Sequence, residues 1–113
     1  MIEAIASALM VMAVPQTSAA ELPPGLQFGF WRMAAFRARA RELHCGAGDL
    51  DRTFEDLRRQ LVARFGEDAF KVPEVPKGGP GECSVALSVY RVNLDDWRRE
   101  VAAALAQAGS AEP

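Results

Sequence analysis

The chain has little with which to do chemistry. It holds one histidine, His44, and two cysteines, Cys45 and Cys83, in 113 residues. No C-x-x-C spacing occurs, so thioredoxin-type exchange and c-type haem attachment lack their motif. Without a second histidine, a zinc site would have to add distant carboxylates to His44, Cys45 and Cys83. Ser/His/Asp catalysis would rest on His44, which no motif supports. The run Lys77-Gly78-Gly79-Pro80-Gly81 lacks the strand-to-helix setting and the glycine order of a phosphate loop. The expectation is a protein that is not an enzyme and needs no cofactor or metal.

An excess of one charge is missing too. Thirteen basic side chains face fifteen acidic ones. Nucleic acid is a poor partner for such a chain, because phosphate binding needs a dense basic surface. Eleven of the thirteen basic residues are arginine. That bias fits a GC-rich genome and carries no functional weight by itself.

Long apolar runs are also absent. The apolar stretch from Ala4 to Val14 is about half the roughly 20 residues that span a bilayer. It is followed by Pro15 and by Ser18-Ala19-Ala20, with small residues at the −3 and −1 positions of a cleavage site. This is the layout of a secretory signal peptide over residues 1–20. Met1-Ile2-Glu3 lacks the lysine or arginine of a standard leader, so the amino terminus supplies the only positive charge there. No cysteine stands directly after the cleavage site, the first being Cys45, which argues against a lipid anchor at that point. Cleavage after Ala20 leaves one domain, 21–113, with a net charge near −1. The expected location is periplasmic or secreted, where Cys45 and Cys83 can form a lasting disulfide.

The remaining pattern is helical. Met33, Phe36, Ala40 and Leu43 share one face of a first helix over about Phe28 to His44, after an extended Leu22-Pro23-Pro24-Gly25. Trp31, Ala35 and Ala38 form a second, weaker stripe. The Gly46-Ala47-Gly48 run offers a left-handed cap. Leu50, Phe54, Leu57, Leu61 and Phe65 mark a second helix from about Asp49 to Phe65, with Asp49 or Asp51 as cap and Glu55–Arg59 as a surface pair. Residues 66–79 are rich in proline and glycine and form a loop. Phe70, Val72 and Val75 predict that it lies on the bundle as an ordered strap.

The third segment has two readings. Ser84 to Val92 is rich in valine and partly alternates, which favours a strand. Cys83, Leu87, Tyr90, Leu94, Trp97, Val101, Ala104 and Ala108 keep one heptad register, which favours a single helix from about Pro80 to Ala108. The helix is the better reading.

The fold class expected is therefore all-α: a three-helix bundle with a Pro/Gly-rich crossover loop between helices two and three. The second helix is about 25 Å long, and fourteen extended loop residues reach about 43 Å. The chain can therefore return and bring Cys45 and Cys83 to the same end. The expected core comprises Met33, Phe36, Leu43, Phe54, Leu57, Leu61, Leu87, Tyr90, Leu94, Trp97 and Val101.

Two functions remain. One is a small exported interaction module, such as an inhibitor, accessory or immunity-type protein with a protein partner in the envelope. The other is a thiol or metal handler using His44, Cys45 and Cys83. Arg32, Arg37, Arg39 and Arg41 form a candidate contact surface for an acidic partner, or less favourably for lipid headgroups. The favoured reading makes these arginines the ordinary polar border of a buried face.

Overall fold

The computed structural model describes residues 22–110. The expected leader, residues 1–20, and its cleavage site lie outside the described residues. Three helices account for most of the rest: α1 (Pro24–Glu42), α2 (Gly48–Phe65) and α3 (Cys83–Ser110). A 3₁₀ turn at Asp68–Phe70 opens the crossover. The described residues contain no strand, and no helix among them is long and apolar enough to cross a membrane. The protein is the three-helix, disulfide-bonded bundle that the periodicity implies, with Cys45 and Cys83 at one end and their Cα atoms 5.5 Å apart.

α1 starts four residues earlier than expected. Pro23 is its cap and Pro24 its first helical residue. A proline fits there because the first turn has no use for its missing N–H. The helix ends in a left-handed residue, but that residue is His44 (φ 60°) and not a glycine of the following Gly-Ala-Gly run. The His44 N–H bonds the Arg41 carbonyl and the Cys45 N–H bonds the Ala40 carbonyl. This is the two-bond Schellman termination, in which glycine is usual at the left-handed position. A β-carbon there is a steric cost. His44→Gly should therefore stabilise the fold by about 1 kcal/mol. Urea unfolding measures it, and a loss of stability would mean that the histidine side chain contributes more than its strain removes.

α2 begins at Gly48 with Ala47 as its cap, and neither Asp49 nor Asp51 makes a capping bond. Both acids sit in the first turn, where the dipole favours them. α3 begins at Cys83 and not at Pro80; the Ala86 N–H takes the Glu82 carbonyl. Residues 84–92 are helical. The valine-rich composition loses to the buried stripe that continues through Tyr90, Leu94, Trp97 and Val101, because packing overrides a weak strand preference.

The core centres on four rings. Phe30 stacks on Phe54 at 5.3 Å and meets Phe70 edge-on at 5.5 Å; Trp97 lies 6.1 Å from both Phe30 and Phe54. The Trp97 indole N–H donates to the Leu26 carbonyl at 3.3 Å. Gly29 lets this ring approach α1, since a β-carbon at that position would sit 2.5 Å from Trp97 Cδ1. α2 contributes Leu50, Phe54, Leu57 and Leu61, as expected. On α1 the buried face is Leu26, Phe30, Met33, Ala34, Arg37 and Ala40. Phe36 and Leu43, expected in the core, are only partly buried, as is Leu87 on α3.

The strap is fastened at its ends and bows away between them. Phe70 is fully buried at one end, held by Arg58 Nε donating to its carbonyl and by Gln27 Nε2 donating to the Ala69 carbonyl. Val75 is half-buried, but Val72 is exposed, contrary to its expected contact with the bundle. At the other end the last turn of α1 takes hold. Arg39 donates to the Gly79 and Pro80 carbonyls, while the Glu42 carboxylate accepts the Gly78 and Gly79 N–H groups.

Those backbone donors, Gly78 before Gly79, and then Arg39 hold the Glu42 carboxyl down at about 2, against an ordinary 4.5. A depressed carboxylate contributes stability that is present above its ordinary value and lost as pH falls through the folded one. The clamp should therefore persist through pH 4.5 and open only as pH approaches about 2. Amide shifts of Gly78 and Gly79 across an acid titration read this directly. Release with a midpoint near 4.5 would show that the clamp is not formed in solution.

Candidate functional site

The four arginines do not form one open surface. Arg37 is buried, with its guanidinium 4.4 Å from the Phe54 ring centroid and bonded to Glu55 at 2.6 Å. Glu55 therefore reaches toward α1 with its side chain still 40% exposed, and Arg59 pairs with Asp56 in place of the expected Glu55. Arg39 is committed to the strap and to Glu42. Arg32 and Arg41 remain exposed. Arg32 bonds Asn93 on α3 and lies over the Phe36 ring, whereas Arg41 stands 3.7 Å from Asp51 on α2.

Of the groups that looked reactive, the two cysteines are paired and the histidine is exposed. Cys45 and Cys83 are bonded to each other, and the described residues hold no free cysteine. His44 is exposed at the helix end. Among the described residues no group of three or more His, Cys, Asp or Glu side chains could hold a metal ion. Tyr90 donates its hydroxyl to Asp51 at 2.9 Å. Burial, and then that carboxylate, push its phenol well above the ordinary range. It stays protonated at neutral pH and serves as a fixed donor.

Two concave surfaces flank α1, with Arg39 on the ridge between them. The first is a recess of about 250 Å³ between α1 and α3, lined by Phe36, Leu43, Val85, Ala86 and Val89 among others. Val85 and Val89 are exposed, and Val92 continues the same row one turn further on. The second is a groove of about 500 Å³ between α1 and the bowed strap, floored by Ala34, Ala35 and Ala38 and walled by Val72, Pro73 and Pro76.

The sequence singled out the alanines of the second surface only as a weak stripe, and missed the first. The valines of Val85, Val89 and Val92 look like strand residues until the helix is assigned. Placed on α3 they stand at i, i+4 and i+7, off the buried heptad register, and that spacing was the available signal.

No protein-family model, curated protein or solved structure matches this chain.

Proposed function

We propose that this is a small exported, non-catalytic interaction module that docks a protein partner on the α1–α3 face. The observation that carries the reading is the apolar recess bordered by Val85, Val89 and Val92. Exposed apolar side chains gathered on one face mark a contact surface, whereas scattered ones do not. The rim gives the partner's chemistry. Arg39 and Glu82 line the recess, and Arg32 and Arg91 are exposed beyond it, with Glu42 bonded to Arg39 and Asp49 3.7 Å from Arg91. The matching surface is an apolar ridge bordered by carboxylates, since opposed charge at a rim steers and orients association. Export rests on the leader-like residues 1–20 and agrees with the cysteine pairing.

The test is retention of one envelope protein by the immobilised wild type, compared with Val85→Asp and Val89→Asp. Both positions are exposed, so the variants should melt like the wild type. The reading expects a protein retained by the wild type, lost from both aspartate variants, and kept by Lys77→Glu on the opposite flank. Equal retention by all forms would overturn it. So would a wild-type dimer that Val89→Asp makes monomeric, because the face would then serve self-association.

A further inference from the structure

We propose that the groove between α1 and the strap binds a single-chain amphipathic carboxylate, with its head at Arg41 and Lys77 and its tail running along Ala38, Ala35 and Ala34 toward Trp31. The site lies across the Arg39 ridge from the partner face and does not depend on it.

Size, shape and charge all point to this ligand. About 500 Å³ lies within the range of small-molecule sites, roughly 300–1,000 Å³. The lining is segregated along α1. Three of its four cationic groups, Arg39, Arg41 and Lys77, gather where the last turn of the helix meets Gly78, and the fourth, Arg37, is buried and paired with Glu55. The other end is alanine on the helix side and Val72 and Pro73 on the strap side. One carboxylate, Glu42, lines the groove, and its oxygens already accept from Gly78, Gly79 and Arg39. The negative pole of the helix dipole opposes an anion here, but only by about half a charge. Arg39 is offset by Glu42, so Arg41 and Lys77 are the charges that answer it.

The groove is also held open. Both ends of the strap are fixed, one by buried Phe70 and the other by the Arg39–Glu42 clamp. The alanines leave the floor low where larger side chains would fill it. An apolar tail laid there removes its own surface and that of the groove from water. Trp31, one helical turn before Ala34 and Ala35, is 44% exposed and does not itself line the groove, so it reports a tail that extends past Ala34.

The probe is sodium decanoate below its micelle concentration, added to the purified protein and followed by tryptophan emission and calorimetry. Trp97 is buried, so a change in emission reports Trp31. Decyltrimethylammonium supplies the same tail with the opposite head, and acetate supplies the head alone. The expected result is saturable one-site binding of decanoate, at least tenfold weaker binding of the cation, and none of acetate. Lys77→Glu should weaken decanoate at least tenfold. Ala38→Trp should abolish its binding by filling the floor. If Ala38→Trp melts below the wild type, Lys77→Glu on the exposed strap decides alone. Equal binding of the two amphiphiles, absence of saturation, or undiminished affinity in Lys77→Glu would overturn the proposal.

Discussion

Gly29→Ala should destabilise the protein by about 3 kcal/mol, even though it places a better helix former inside a helix. Elsewhere in a helix the same change gains up to about 1 kcal/mol. Here the new β-carbon would lie 2.5 Å from Trp97 Cδ1 and 2.6 Å from its Nε1. The ring cannot swing aside, because it is packed against Phe30 and Phe54 and its N–H is bonded to the Leu26 carbonyl. Overpacking of this kind typically costs about 1–3 kcal/mol, and more where the neighbour is rigid. The control lies one turn earlier. A β-carbon on Gly25 meets nothing within 4 Å, so Gly25→Ala should be neutral or slightly stabilising. Thermal melting of the two variants side by side separates packing from propensity. Similar melting temperatures for both would mean that Trp97 does not seat against α1.

Removal of the disulfide should have the largest effect. Cys45 and Cys83 are 38 residues apart in sequence. For a closed loop of that size the chain-entropy account gives about 4 kcal/mol. A domain this small therefore holds about a third of its ~5–15 kcal/mol in that one bond. The Cys45→Ser, Cys83→Ser double variant should therefore melt about 15–30 °C lower, or fail to fold. The bond also ties the C-terminal end of α1 to the first residue of α3, where the strap comes back to the bundle. Its loss should release that end first, so amides of Gly78 and Gly79 should lose protection before those of Leu61 or Val101. A double variant that melts with the wild type would show that the bond forms without contributing.

The sequence read clearly where burial and period coincide. Leu50, Phe54, Leu57 and Leu61 on α2, and Tyr90, Leu94, Trp97 and Val101 on α3, are buried as their spacing requires. α1 was read with its apolar face turned too far, onto Phe36 and Leu43, because its true face contains Arg37 and Gly29. A charged residue interrupts an apolar stripe on paper. In the structure its stem packs, its guanidinium covers Phe54, and its charge is met by Glu55. A glycine gives no apolar signal at all, yet Gly29 defines the seat of Trp97. The arginine cluster was misleading for a related reason. Composition shows four positive charges on one helix, but it does not show that Arg37 points inward or that Arg39 bonds the carbonyls of Gly79 and Pro80. The strap groove was out of reach because it exists only between two segments some forty residues apart.

The central claim is an exported domain closed by its own cysteines. Intact-mass measurement with alkylation, on protein recovered from the cells that make it, tests both parts at once. The account predicts a chain that starts at Glu21, takes up no alkylating reagent in its native state, and takes up two equivalents after reduction. A chain that retains Met1 and is alkylated at both Cys45 and Cys83 without reductant would contradict it.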